Sequence, residues 1–122
     1  MDNKLTSSLE DYLEIICNYE KSGQAIRAID ISKTLNISRA SVTEALQKLN
    51  SKGLIVYDKT IMLTNEGRAK AQEVVSKHSI LQQFFEEVLE LDNKEASDNA
   101  CRIEHVISEA AFKKISDFLK NR

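Results

Sequence analysis

Leu35-Asn36-Ile37-Ser38-Arg39-Ala40-Ser41-Val42-Thr43-Glu44-Ala45-Leu46-Gln47-Lys48-Leu49 is the stretch that decides the fold. Asn36-Ile37-Ser38 reads as a tight turn, with Ser38 placed to cap the helix that follows. Val42, Ala45, Leu46 and Leu49 form that helix's buried stripe, and Gly53 stops it. Upstream, Ile29, Ile31 and Leu35 mark a short helix. Before it, Leu9, Leu13, Ile16 and Cys17 repeat with helical period from about Ser7 to Lys21, and Gly23 ends the run. Downstream, Leu54-Ile55-Val56-Tyr57 and Ile61-Met62-Leu63 read as two short strands joined at Asp58-Lys59-Thr60. Helix, short helix, tight turn, helix and hairpin is the order of a winged helix-turn-helix.

The remainder is helical. Thr64 caps a long amphipathic helix running to about Glu90, with Ala69, Val74, Val75, Ile80, Leu81, Phe84, Phe85 and Val88 apolar. Leu91-Asp92-Asn93 breaks it. Two shorter helices are expected, about Lys94 to Ile107 and Glu109 to Asn121, with Ser108 as the cap between them. The fold class is mostly α: a winged-helix domain over 1–70, then a helical domain over 71–122. Cys17 falls in the first helix's apolar stripe and reads as core.

Composition sets bounds. The chain has 122 residues, 42% hydrophobic and 30% charged, which suits a globular fold of one unit or two small modules. No proline and three glycines favour helix. There is no long apolar run for a membrane span, and Met1 to Ser8 lacks the apolar core of a signal peptide. A cytoplasmic location is therefore expected, where two distant cysteines stay reduced. The net charge of −2 is unevenly spread. Lys33 to Lys70 holds seven basic and three acidic residues, whereas His78 to Arg122 holds six and nine. A basic block beside an acidic one fits one part that meets phosphate and one that does not.

The helix after Ser38 carries a DNA-reading pattern. Arg39, Ser41, Thr43, Glu44, Gln47 and Lys48 are expected on its outer face, with Ser38 and Ala40 at its start. Small residues there let the backbone approach a major groove, and polar ones hydrogen-bond base edges or phosphates. Lys33, Lys48 and Lys52 suit phosphates, and Lys59 at the hairpin tip suits a wing contact. Glu44 runs against the trend, though it can accept from cytosine N4.

Cys101-Arg102-Ile103-Glu104-His105 is the second chemical stretch. At i, i+3 and i+4 of a helix, a thiolate, a carboxylate and an imidazole share a face, and all three are transition-metal ligand types. The competing reading is a solvated Glu, a surface His and a buried Cys that happen to be neighbours. Asp11 and Glu14, i and i+3 on the first helix, lie away from its apolar stripe; taken alone they read as two solvated acids.

Five motifs together resemble one family. Ser8 to Glu14, Ser41 to Leu49, Leu63 to Gly67, Lys77-His78 and Cys101 to His105 look, in order and spacing, like the metal-dependent repressors of the diphtheria toxin repressor and manganese transport regulator type. The resemblance covers nearly the whole chain. It implies that the winged-helix domain is followed by a helical dimerisation domain, without the further SH3-like domain of iron-type members. It implies a homodimer on double-stranded DNA, with a near-palindromic operator. It places metal ligands at Asp11, Glu14, His78, Cys101, Glu104 and His105. That set is a hybrid: Asp11 and Glu14 are manganese-type choices, Cys101 an iron-type one. Gln82 and Ser97 fall at or near ancillary ligand positions of iron-type members, where Ser97 is a poor replacement for His. The implied cofactor is Mn(II) or Fe(II), with Co(II) and Zn(II) able to bind in vitro.

A cation binding both halves favours the DNA-competent state only if it binds that state more tightly. Shifting a 1:99 mixture to 99:1 takes about 5.5 kcal/mol of differential binding, within a metal site's reach. Two alternatives stand beside this reading. One is a winged-helix regulator that responds to a small organic molecule or to nothing. The other is a metalloenzyme with Glu104 as general base, which lacks any His-Glu-x-x-His signature.

Overall fold

A computed structural model describes residues 5–122. The Met1–Lys4 part of the leader reading lies outside the described residues. The elements run α1 (Ser7–Lys21), α2 (Ala28–Leu35), α3 (Arg39–Ser51), β1 (Ile55–Tyr57), β2 (Ile61–Leu63), α4 (Asn65–Glu87), α5 (Asn93–Ile103) and α6 (Glu109–Lys120). They form two compact units, Met1–Gln72 and Glu73–Arg122.

The first unit is a winged helix. Thr6 caps α1, its hydroxyl accepting from Leu9 N at 3.2 Å. Asn36 ends α2 in the left-handed region, φ 56°, a conformation that Asn tolerates better than most residues. Two residues later Ser38 opens α3, its hydroxyl accepting from Ser41 N at 3.1 Å. The tight turn is thus built from two residues with local reasons to be there. β1 and β2 pair antiparallel in the register Ile55↔Leu63, Val56↔Met62 and Tyr57↔Ile61. Ile55, Ile61 and Leu63 face inward, while Val56 and Met62 are more than half exposed. Leu9, Leu13 and Ile16 of α1, Ile31 of α2 and Val42, Leu46 and Leu49 of α3 close the core, and Cys17 is buried among them. Thr64 caps α4, accepting from Gly67 N at 3.0 Å while donating to Gly53 O at 2.6 Å. Gly67 is required here, since a Cβ would lie 1.8 Å from Leu54 O.

The second unit has a thin core. Val74, Leu81, Ala96 and Ala100 are its buried apolar residues, and α6 has no fully buried residue. Phe84 packs edge-on against Phe85 and Phe118, with centroids 6.0 and 6.4 Å apart. Asp92 and Ser108 cap α5 and α6.

Three expectations change. α4 ends at Glu87 rather than about Glu90, because Glu90 takes φ 60° and Leu91 N reaches back to Phe85 O at 2.9 Å. α5 stops at Ile103, not Ile107. Glu104 still bonds to Ala100 O, but Val106 N and Ile107 N both turn back to Ile103 O. Ser108 needs extended backbone to cap α6, so the chain must leave the helix before it. In α4, Ala69 is exposed and Ala71 is the buried alanine.

Candidate metal centre and nucleic-acid interface

Each unit carries chemistry of its own. In the first, α3 presents its outer face to solvent. Arg39, Ala40, Ser41, Glu44, Gln47 and Lys48 are exposed, and Ser38 and Lys52 flank them. Thr43 is half-buried rather than exposed, because it sits on the flank of the Val42-Leu46-Leu49 stripe. The two serines are engaged locally: the Ser38 hydroxyl donates to the Ser41 hydroxyl at 3.0 Å as well as capping the helix. Lys48 lies 3.5 Å from Glu44. Lys33 near the end of α2 and Lys59 in the β1–β2 turn are exposed, and neither makes an ion pair among the described residues. Cations on the helix, beside it and at the hairpin tip are what a phosphate backbone on either side of a groove needs.

Also in the first unit, Asp11 and Glu14 stand half-buried one turn apart on α1, off the Leu9-Leu13-Ile16 stripe. Both engage in interactions within the molecule. A helix places such i, i+3 carboxylates side by side.

In the second unit Glu104 is the one buried charged residue among those described, 3% exposed. It is the C-cap residue of α5, its backbone still αR and its N–H bonded to Ala100 O. Its Oε1 lies 2.6 Å from His78 Nδ1 and its Oε2 3.5 Å from His105 Nε2. His78 comes from mid-α4, 26 residues away in sequence. On the far side of the His78 ring, Nε2 lies 3.5 Å from Ser97 Oγ. A bare carboxylate in such a place costs several kcal/mol unless compensated, and the hydrogen bond between the His78 ring and Oε1 supplies part of that compensation. The arrangement joins one oxygen ligand type to two nitrogen ligand types, a set that suits divalent first-row ions.

Cys101 is placed differently from its two sequence neighbours. It is exposed on the last turn of α5. Among the described residues it enters no group of three ligand-type side chains whose donor atoms lie within 4.8 Å of one another. Because α5 ends at Ile103, the expected i, i+3, i+4 face is not continuous helix: His105 lies in the turn beyond it. Gln82 donates to Glu86 Oε2 at 2.9 Å within α4, and the Asn93 amide, donating to the same oxygen at 3.0 Å, ties α4 to the start of α5. The Ser97 hydroxyl beside His78 was legible only as a position; its neighbour comes from 19 residues away and no local pattern announces it.

Comparison with known proteins gives concordant matches. The iron dependent repressor N-terminal DNA binding domain matches residues 4–61. The iron dependent repressor metal binding and dimerisation domain matches residues 64–122. An uncharacterized HTH-type transcriptional regulator of Methanocaldococcus jannaschii is 34% identical over 119 residues, covering 95% of each chain. The HTH-type transcriptional regulator MntR of Oceanobacillus iheyensis is 31% identical, covering 93% of this chain and 78% of that protein. A solved manganese-dependent transcriptional repressor in complex with manganese superposes with a TM-score of 0.86 at 26% identity, covering 92% of this chain and 52% of that one. The chain thus spans about half the length of that solved structure.

Proposed function

The chain belongs to the iron-dependent repressor family of DNA-binding, metal-dependent regulators, and from that premise we propose the finer reading. It acts as a homodimer on a near-palindromic duplex, and a divalent ion, Mn(II) or Fe(II), sets its hold on DNA. It works in the cytoplasm and is not an enzyme. No helix among the described residues is long and apolar enough to cross a membrane.

The observation that carries the metal reading is the buried Glu104 carboxylate flanked by the His78 and His105 nitrogens. These three would hold the ion in the second unit. Asp11 and Glu14 are the carboxylates that the first unit offers, and Cys101 is the remaining candidate. The ion supplies positive charge that offsets repulsion among carboxylates. The residues do the rest: Glu104 spans both imidazoles, and Asp11 and Glu14 make the winged-helix unit responsive. Oxygen-rich donors favour Mn(II); a contribution from Cys101 would turn preference towards Fe(II), Co(II) or Zn(II). Arg39, Thr43, Glu44 and Gln47 are proposed to face bases, with Lys33, Lys52 and Lys59 on phosphates and Ser38 and Ser41 setting the helix start against the groove.

The test is a titration of binding to its own promoter region, after EDTA treatment, with Mn(II), Fe(II), Co(II) and Zn(II) separately. Affinity that rises at least tenfold with one ion and falls again on chelation supports the reading. Affinity unaltered by chelators points to a regulator without metal control.

A further inference from the structure

Glu44 is an acid on a surface proposed to face a polyanion, and it carries an inference of its own. Its carboxylate lies 3.5 Å from the Lys48 ammonium one turn along α3, and the two side chains are 71% and 60% exposed. No other ion pair or hydrogen bond of Glu44 occurs among the described residues. α3 is capped and its inner stripe is buried, so both side chains leave a fixed helix on its outer face. A lone carboxylate here would weaken binding to every duplex by repelling phosphates. An element that lowers general affinity serves discrimination instead.

The base edges of the major groove narrow the choice. Guanine and thymine offer a carboxylate only acceptors, so they repel it. Cytosine N4 and adenine N6 donate, but adenine carries its N7 acceptor beside the donor. On the opposite base of a C·G pair, guanine O6 and N7 are both acceptors, suited to an ammonium. Cytosine N4 and guanine O6 are themselves hydrogen-bonded, so they sit about 3 Å apart. An acceptor and a donor 3.5 Å apart on one helix face match that pattern with opposite polarity.

We infer that Glu44 and Lys48 act as one unit that reads a single C·G base pair in each half-site. Glu44 accepts from cytosine N4, and Lys48 donates to the partner guanine while neutralising the acid. This assigns Lys48 to base reading instead of the phosphate contact expected from sequence. The inference rests on the DNA-binding reading above.

Selection from a random duplex pool with the intact chain and Mn(II) tests it, using wild-type protein, Glu44→Gln and Lys48→Ala. Wild-type selection is expected to yield half-sites with one position fixed as C·G. Glu44→Gln should lose about tenfold of the preference for C at that position alone and drift towards A, the base that Gln reads. Lys48→Ala should lose discrimination at the same position. Both side chains are exposed, so thermal unfolding of the variants should match wild-type. Identical consensus sites for wild-type and Glu44→Gln would overturn the inference and leave DNA binding standing. Uniform weakening by Lys48→Ala, with the salt slope reduced by about one unit, would make Lys48 a phosphate contact and likewise overturn it. No enriched site for the wild-type protein would overturn the DNA-binding reading and this inference with it.

Discussion

At the scale of single residues, Glu104 and Gly67 are the positions where substitution is most informative. Glu104 exchanges contacts with both histidines, so each histidine should matter separately. His105→Ala is expected to abolish the response of DNA binding to metal, since it removes one of the two imidazole nitrogens beside the buried carboxylate. Wild-type metal affinity in His105→Ala, measured calorimetrically, would exclude it as a ligand. Cys101 gives a second readout. Its exposure on the last turn of α5 predicts that Cys101→Glu keeps the Mn(II) response. If thiophilic ions bind through it, the same change should demote Co(II) and Zn(II) relative to Mn(II); an unaltered ranking removes it from the ligand set. Gly67 concerns stability alone. A methyl group there would meet Leu54 O and C at 1.8 and 2.8 Å, and backbone cannot rotate away as a side chain does. Gly67→Ala should cost about 3 kcal/mol or more in urea unfolding.

At the scale of elements, the contact between α1 and the first turn of α4 makes a pH-dependent prediction. Arg68 donates to both carboxylate oxygens of Glu20, at 2.6 and 3.1 Å. That hydrogen bonding holds the Glu20 carboxyl below its ordinary value, against a smaller opposing effect of burial. The folded group is the stronger acid, so the pair stabilises above the unfolded value of about 4.3 and fades as pH falls through the lower folded value. Both side chains are more than a third exposed, so solvent screening keeps the contribution small. Glu20→Gln should therefore destabilise slightly at neutral pH and lose its effect in acid, below the ordinary carboxylate range; a constant difference from neutral to acid would sink the assignment. α3 yields a second prediction. Arg39→Ala should weaken operator binding and broaden base preference without changing thermal stability, because Arg39 is exposed in the first turn. Unaltered affinity in an anisotropy titration would mean that α3 is not the reading element.

At the scale of the whole molecule, the second unit is too thinly cored to stand as a finished surface. Leu89, Val106 and Phe118 are 52%, 75% and 52% exposed, and α6 buries no residue fully within one chain. Phe84, Phe85, Val88, Ile107, Phe112 and Ile115 are only half-buried. Apolar area of that kind is what a subunit interface covers. Light scattering at micromolar concentration with metal present should give the mass of two chains, and Phe118→Glu should shift it towards one. A monomeric wild-type mass would contradict the dimer and, with it, the expectation of a near-palindromic operator.

The winged-helix order was legible because its signals are local. Thr6, Ser38, Thr64 and Ser108 cap their own helices, Asn36 and Gly23 end theirs, and the apolar stripes follow helical period whatever surrounds them. The same locality explains the misplaced ends. Apolar period carried α5 on to Ile107, whereas the cap of the next helix forced a turn at 104–106. The candidate site was legible as residue types in order, and no further. Sequence set Cys101, Glu104 and His105 side by side as equals; tertiary structure buries Glu104, brings it a histidine from 26 residues away and leaves Cys101 in solvent. Periodicity records which face a residue occupies on its own element. Which group meets that face depends on contacts between distant segments, and only the packed chain decides those.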